Sequence, residues 1–236
     1  LSHDRIFAIL EDHSGRLWIG TYGGGLDLLD RNTGRFTHFR HDPDDPTTLS
    51  SDLVRAVCED HLGTIWIGTD GGGLNRYNPE TASFTSFRND PFEPTSLATD
   101  RIYALHQDRS NVLWVGTYGG GLSFFDVSRK RFRSHRNDPG NSNSLSDDIV
   151  WSFHEDPDGT LWIGTANGIV HRRASGAMQV HTSRDGLPDD YTRALLLQDG
   201  VGVWAATRDG LALHDVAGWR KWTQADGLPD ANLRGL

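Results

Sequence analysis

One position in the sequence varies between aromatic side chains and arginine while the residues around it repeat. At intervals of 48, 48, 48 and 42 residues it is occupied by Phe7, Arg55, Tyr103, Trp151 and Arg193. Aromatic rings stack on the faces of sugars, and a guanidinium group pairs with a carboxylate or a sulfate. The position therefore predicts a binding site for a mono- or oligosaccharide or a similar polar metabolite. The alternative interpretation is that these side chains only fill wedges between unequal structural units.

A second variable set lies in glycine-rich turns that recur in every repeat. The residue type at this turn changes along the chain through Tyr22, Asp70, Tyr118, Ala166 and Arg208. Long connections such as RHDPDDPTTLSSD vary as well. Because binding residues concentrate in variable loops on a rigid scaffold, we add Tyr22, Asp70, Tyr118 and Arg208 to the candidate ligand-binding residues.

The other reactive residue types form no catalytic or metal-binding pattern. The 11 histidines include no His-x-His or His-x-x-x-His pair, and no Gly-x-Ser-x-Gly nucleophile motif occurs. The single Cys58 has no partner for a disulfide and is interpreted as a small core residue of a strand. The sequence predicts no catalytic site, no metal and no cofactor.

Charge and hydropathy narrow the classes of partner. The formal net charge is -9 and the basic residues are scattered, which disfavours nucleic acid and anionic lipid surfaces as partners. No apolar run approaches the ~20 residues of a membrane helix, and the opening LSHDRIFAIL lacks the layout of a signal peptide. Since the chain begins with Leu, we interpret it as a segment of a longer protein and expect no membrane contact by this segment.

The elements that must position the variable residues come from a tandem repeat. Tryptophans mark it at Trp18, Trp66, Trp114, Trp162 and Trp204, again at intervals of 48, 48, 48 and 42 residues. Each repeat reads as four short β-like runs: for example IFAIL, then LWIGT after a polar turn, then GLDLLD after a glycine turn, then RFTHF. No segment shows the 3.6-residue spacing of apolar residues that an amphipathic helix requires.

Four antiparallel strands in a repeat of roughly 40 to 50 residues is the length of a propeller blade. The sequence therefore predicts an all-β β-propeller segment over residues 1–236. Five blades are expected at 1–48, 49–96, 97–144, 145–186 and 187–227. Residues 228–236, LPDANLRGL, align with the first strand and predict one extra strand of a further blade.

The topology of such a blade assigns the variable residues to places. Because the chain reverses at each turn, the second-to-third and fourth-to-first connections emerge on one face of the ring, which is the candidate binding face. First strands line the axis, so the first variable set forms an axial ring. The invariant aromatics, namely the tryptophans with Phe36, Phe84 and Phe132, are interpreted as packing between blades. Asp12, Asp60, Asp108 and Asp156 precede turns and are expected to accept hydrogen bonds from turn amides.

The wording of the repeat resembles the two-component regulator propeller repeat. The pattern I-x-x-[IL]-x-[EQ]-D-x-x-G-x-[LI]-W-[IV]-G-T-x-x-G-G-L holds in the first three copies, except that Val54 and Val57 replace its first two apolar positions in the second and Asn111 replaces the turn glycine in the third. The fourth copy lacks the double glycine, and the fifth has Ala206 for the usual glycine. The resemblance implies a non-catalytic, periplasmic sensor region of a membrane-bound histidine kinase or a related signal-transduction protein.

Copy number adds an expectation about partners. Propellers of this family usually have about seven blades, so five blades plus one strand predict part of a larger ring. The expected partners are the remaining blades or a second propeller of the same protein, or a second copy in a homodimer.

Two other functions remain open from sequence: a protein-interaction or dimerisation scaffold, and a propeller glycosidase or lyase. The turn E-D-x-x-G-x-L-W faintly resembles the Asp-box of sialidases, and Arg55, Arg101, Arg193 and Tyr191 offer an arginine cluster with a tyrosine. No partner glutamate stands on the same face, however, so the enzyme is disfavoured. The graded variation of the axial position favours a ligand-binding sensor over a scaffold.

Overall fold

The computed structural model describes residues 1–126 and 131–236. In these residues the chain forms 20 β-strands and two 3₁₀ turns of three residues each. The strands group into five four-stranded antiparallel sheets, as the repeat predicts. No helix in the described part is long and apolar enough to cross a membrane.

Each sheet is one blade, with its strands in chain order. Blade 1 contains β1 (Ile6–Glu11), β2 (Leu17–Thr21), β3 (Leu26–Asp30) and β4 (Arg35–Phe39). Blade 2 contains β5 (Val54–Glu59), β6 (Ile65–Thr69), β7 (Gly73–Asn78) and β8 (Ser83–Phe87). Blade 3 contains β9 (Ile102–Gln107), β10 (Leu113–Thr117), β11 (Leu122–Asp126) and β12 (Arg131–His135).

The last two blades are followed by 3₁₀ turns instead of the long proline-containing connections. Blade 4 contains β13 (Val150–Glu155), β14 (Leu161–Thr165), β15 (Gly168–Arg172) and β16 (Met178–His181). Blade 5 contains β17 (Thr192–Gln198), β18 (Gly202–Thr207), β19 (Gly210–Asp215) and β20 (Gly218–Trp222). The 3₁₀ turns are Ser183–Asp185 and Gln224–Asp226. The segment 228–236 contains no strand, so the expected first strand of a further blade is not formed.

The chain divides into two compact units. Unit 1 comprises Leu1–Thr117 and Ser123–Ser134, and unit 2 comprises Tyr118–Leu122 and His135–Leu236. Unit 1 thus holds blades 1 and 2 and most of blade 3, while unit 2 holds blades 4 and 5.

The core of unit 1 forms where one blade packs on the next. Trp18 of blade 1 is fully buried and meets Tyr77 of blade 2 edge to face, with ring centroids 5.1 Å apart. Trp66 of blade 2 meets Phe125 of blade 3 in the same way at 5.6 Å. Edge-to-face pairs at this distance are the preferred arrangement of aromatic rings. The interpretation of the repeated aromatics as packing between blades is consistent with these contacts.

In blades 1 to 4 the turn aspartate also accepts a hydrogen bond from the tryptophan indole, which the sequence analysis did not foresee. The Asp12 carboxylate accepts hydrogen bonds from the amides of Ser14 and Arg16, as expected, and from Trp18 Nε1 at 2.8 Å. The same indole bond recurs from Trp66, Trp114 and Trp162 to Asp60, Asp108 and Asp156. A buried indole N–H requires such a partner, so this hydrogen bond links the turn directly to the core between the blades.

Glycine is required where the glycine turn enters the third strand. Gly73 has φ +80°, and a Cβ added there would lie 2.2 Å from the Phe87 carbonyl oxygen. The amides of Gly71 and Gly73 both donate to the Asp100 carbonyl, in the connection that leads to blade 3. The second-to-third turn of one blade is therefore bound to the fourth-to-first connection that follows, on a common face as the topology predicts.

Candidate functional site

Every residue of the axial set occupies a β-bulge. The register between the first two strands shifts between Ile6 and Ala8 in blade 1 and between Val54 and Ala56 in blade 2. The same shift brackets Tyr103, Trp151 and Arg193. A bulge adds one unpaired residue and redirects its side chain, and bulges are enriched next to functional sites. The bulge explains why this position varies while its neighbours, which must fit the ladder, repeat.

In unit 1 the axial residues form a stack. The Arg55 guanidinium lies over the Phe7 ring at 4.2 Å and over the Tyr103 ring at 4.6 Å, measured from the guanidinium carbon to each ring centroid. Its Nε is buried and has no hydrogen-bond partner in the described structure. A guanidinium held between two rings is fixed in orientation by cation–π contacts. The stack therefore holds the Arg55 guanidinium in place and covers its Nε–H.

Asp70 joins this stack to the glycine-turn face. Its carboxylate accepts from Arg55 at 3.1 Å, from Arg101 Nε at 2.8 Å and from the Tyr103 hydroxyl at 2.9 Å. Burial by itself raises the pKa of Asp70, but the hydrogen bonds from Arg101, Tyr103 and Arg55 outweigh it and the pKa lies below its ordinary value. Burial and the bond to Asp70 raise the pKa of Tyr103. Asp70 is therefore an anion at neutral pH, held by two arginines.

Tyr22 and Arg5 extend the cluster toward solvent. The Arg5 guanidinium lies over the Tyr22 ring at 4.3 Å, and Tyr22 meets Phe7 edge to face at 5.5 Å. Phe7 and Tyr22 are 38% and 37% exposed, unusual values for aromatic rings of this size. We call Arg5, Phe7, Tyr22, Arg55, Asp70, Arg101 and Tyr103 the unit 1 cluster. It combines exposed rings with three guanidiniums and one carboxylate.

Unit 2 carries a second cluster of the same residue types. Trp151 contacts Tyr118 at 6.0 Å and Tyr191 at 5.3 Å between ring centroids. The guanidiniums of Arg193 and Arg208 lie over Tyr191 at 5.2 and 5.7 Å. Arg193 also donates to the Asn232 side chain at 2.7 Å, and Arg208 pairs with Asp189 at 3.1 Å. Burial raises the pKa of Tyr191, so its hydroxyl remains protonated. We call the residues in these contacts the unit 2 cluster: Tyr118, Trp151, Asp189, Tyr191, Arg193, Arg208 and Asn232.

All nine candidate residues from the sequence fall in one of these two clusters. Within unit 1 the structure brings together Phe7, Tyr22, Arg55, Asp70 and Tyr103. Within unit 2 it brings Tyr118 to Trp151, while Arg193 and Arg208 meet over Tyr191.

Sequence reasoning missed a third variable position. Arg5 and Arg101, which complete the unit 1 cluster, stand two residues before the bulge, as does Tyr191 in unit 2. The backbone explains the proximity, because the carbonyls of Arg5 and Tyr191 accept from the amides of the glycine-turn residues Tyr22 and Arg208. The signal was present: this position reads Arg5, Leu53, Arg101, Ile149 and Tyr191 at the repeat interval.

Cys58 has the environment of a buried core thiol. Burial raises the pKa of Cys58 to about 11, so its thiol is not ionised at neutral pH. Cys58 packs against the blade 2 and blade 3 core. In the described residues no group of three or more His, Cys, Asp or Glu side chains is placed to hold a metal ion.

Comparison with known proteins gives a matching family model and a set of similar solved folds. The model of the two component regulator propeller family matches residues 1–23, 48–71, 96–119 and 144–167. No curated protein sequence matches the chain.

Three solved structures illustrate the fold. A protein described as the extracellular domain of a hybrid two component system from B. thetaiotaomicron superposes with a TM-score of 0.79 and 22% identity over 99% of this chain. A second B. thetaiotaomicron extracellular domain, of a one component system, gives 0.75, 20% identity and 93% coverage. This chain spans 37% and 30% of those two solved chains.

Virginiamycin B lyase from Staphylococcus aureus gives a TM-score of 0.70 and 14% identity, with 98% of this chain and 73% of the lyase covered. The TM-scores establish a shared propeller fold. The low sequence identities leave activity open.

Proposed function

Because the chain carries repeats of the two component regulator propeller family, we propose that it is a non-catalytic, ligand-binding part of an extracytoplasmic sensor. The observation that carries the proposal is the bulge position, which is geometrically constant in all five blades and is occupied by four different residue types, all aromatic or arginine. A position that only supported the fold would not need to vary in this way. The periplasm as its compartment and a histidine kinase as its output belong to the same proposal.

The ligand we propose is a saccharide that carries a carboxylate or sulfate group. In the unit 1 cluster the guanidiniums of Arg55 and Arg101 pair with the single carboxylate of Asp70, and the Arg5 guanidinium lies over the Tyr22 ring. The Arg101 side chain is 44% exposed, so an added ligand can reach it from solvent. The exposed faces of Phe7 and Tyr22 supply the apolar surface on which a sugar ring stacks. This local excess of positive charge contrasts with the net charge of -9 of the chain.

A titration with a panel of neutral, uronate-bearing and sulfated oligosaccharides tests the proposal. We expect binding of acidic members, weakened about tenfold or more by Arg101→Ala and by Tyr22→Ala, as loss of a charge-assisted contact implies. Arg31→Ala is the matched control, because Arg31 also forms an ion pair, with Glu11, but outside both clusters. Failure of every saccharide to bind, or equal weakening by Arg31→Ala, would contradict the proposal.

A second candidate function is a scaffold for association with another blade. The outward face of β1 leaves Ile6 and Ile9 at 40% and 62% exposure, whereas Val54 and Ile102, at the equivalent position to Ile6 in later blades, are fully buried. Blades of the same protein, a second propeller or a second copy would each present a face that fits. This function is compatible with ligand binding, since the apolar face and the unit 1 cluster involve different side chains.

A further inference from the structure

A cleft in unit 2 is unexplained by the proposed sensor site. It has a volume of about 680 Å³ and lies between the first-to-second turns of blades 4 and 5 and the third-to-fourth turn of blade 5. Because the chain reverses at each turn of a blade, these turns lie at the end opposite the glycine turns. The volume is in the range of small-molecule sites.

The cleft exists because a polar bridge found earlier in the chain is missing here. In blade 1 the His13 amide donates to the Glu59 carboxylate of blade 2, and their side chains are also paired. In blade 2 the His61 amide donates in the same way to Gln107 of blade 3. Both bridges connect the first-to-second turn of one blade to the first strand of the next.

Pro157 and Leu197 occupy the equivalent positions between blades 4 and 5. Pro157 follows the turn aspartate as His13 and His61 do, and Leu197 pairs with Val203 as Glu59 pairs with Ile65. Proline has no amide hydrogen and leucine has no acceptor, so the bridge cannot form. The replacement leaves the gap open and lines it with apolar side chains.

Two imidazoles and the apolar side chains form the inner surface. His171 stacks on Trp162 with centroids 4.2 Å apart, and His214 lies 5.2 Å from the same ring. Burial lowers the pKa of both histidines, so the rings are neutral at pH 7. Neither imidazole makes a hydrogen bond within the described part of the chain. Neutral, unbonded imidazole nitrogens accept hydrogen bonds from a cationic N–H group.

The rim of the cleft is acidic. It carries the carboxylates of Asp156, Asp158, Asp199 and Asp215. Arg220 pairs with Asp215 at 2.5 Å and neutralises its charge. Asp199 is exposed and makes no hydrogen bond in the described structure. From the apolar lining, the free imidazoles and the rim together, we propose that this cleft binds a small primary amine with an aromatic or branched apolar body. This site is separate from the saccharide site and does not depend on it.

Calorimetric titration of the chain with phenethylamine tests the proposal, with phenylacetate as a probe of equal size and opposite charge. We expect saturable binding of the amine, with a Kd on the order of 1 mM for so few atoms, and none of the acid. The double variant Pro157→His/Leu197→Glu restores the bridge seen in blades 1 and 2. It is expected to weaken amine binding by about tenfold, although its added carboxylate alone would strengthen binding.

Two further variants separate the outcomes. Asp199→Asn keeps shape and removes a charge, so it should weaken binding about threefold at low salt. Arg31→Ala, which lies outside the cleft and both clusters, should leave it unchanged. Equal binding of the amine and the acid, no binding of the amine, or unchanged affinity in both cleft variants would overturn the proposal. Should the double variant fail to fold, Asp199→Asn decides.

Discussion

At the scale of single residues, the account depends on side chains that a repeat holds in identical backbone positions. The types of the candidate residues were readable from the sequence because they break the repeat. Their partners were not readable, since Asp70 and Arg101 are 31 residues apart in the chain and meet through an isolated bridge outside the named strands. The local sequence pattern predicts the face of the strand on which a residue lies. Which residues of different repeats contact each other is known only from the three-dimensional structure.

The first prediction concerns the tryptophan between blades. Trp66 is 3% exposed, so Trp66→Ala should lower the free energy of unfolding by about 3 to 5 kcal/mol. Trp204 is the control, because it is only partly buried and Trp204→Ala should cost less than about 2 kcal/mol. Chemical denaturation of both variants measures the difference. A loss below about 1 kcal/mol for Trp66→Ala would show that the aromatic ladder does not hold the blades together.

The second prediction tests the glycine turn with a matched pair. Gly71 and Gly73 both have positive φ, but a Cβ at Gly71 meets nothing within 4 Å while one at Gly73 meets the Phe87 carbonyl. Gly71→Ala should therefore cost about 1 to 2 kcal/mol from backbone strain alone. Gly73→Ala should cost about 3 kcal/mol or more, because the clash adds to the strain. Equal losses in urea denaturation would mean that the close approach is not maintained in solution.

At the scale of elements, the sequence predicted the four strands of each blade and their order, because alternation and turn glycines are local signals. The leucines of the fourth-to-first connections were missed. Leu49, Leu97, Leu145 and Leu187 are at most 1% exposed, although they lie in polar loops without periodicity. The extra strand at 228–236 was predicted from similarity to β1 and is absent, because a strand forms only where a neighbour supplies hydrogen bonds.

The junction of blades 4 and 5 differs in chemistry from those in unit 1. His181 and His214 replace the aromatics found at equivalent positions earlier, such as Phe87 and Tyr77, and both contact Trp162. Burial, with His214 and His171 nearby, lowers the pKa of His181 to about 4. Burial likewise lowers the pKa values of His171 and His214. The negative charges of Asp156, Asp158 and Asp215 act to raise these pKa values, while the positive charge of Arg173 lowers that of His171 further.

The third prediction follows from these histidines. A folded pKa below the unfolded value of about 6.5 means that the unfolded chain binds protons first. The stability contributed by neutral His181 is therefore full above pH 6.5 and is lost as the pH falls toward 4, by up to about 3 kcal/mol. Thermal unfolding between pH 7.5 and 4.5 should show this loss, and His181→Phe should reduce it. His61→Gln, at an exposed turn, is the control; an equal reduction by it would contradict the assignment.

At the scale of the whole molecule, the chain is five blades that correspond to part of the length of related solved domains. The fold class and the number of blades were predictable because the repeat is explicit in the sequence. The division into two units was not, since nothing in the repeat interval marks a boundary within blade 3.

The fourth prediction concerns association through the open face of blade 1. Exposed Ile6 and Ile9 should drive self-association of the isolated chain as concentration rises, because Val54 and Ile102, which are equivalent to Ile6, are fully buried. Ile9→Lys should shift sedimentation toward the monomer, whereas Arg31→Lys, at an exposed site of an ion pair, should not. A concentration-independent monomer for the unmodified chain would rule out this face as an association surface.

The central claim is that the clusters of axial and turn residues bind an acidic saccharide. Arginine side-chain NMR tests it most directly, because the Nε–H groups of Arg55, Arg101 and Arg31 give separate reporters. On titration with a sulfated or uronate disaccharide, the account predicts saturable shifts at Arg55, whose Nε is unbonded, and at Arg101, with none at Arg31. Shifts confined to arginines outside both clusters, or no shift at any arginine with every disaccharide tried, would contradict it.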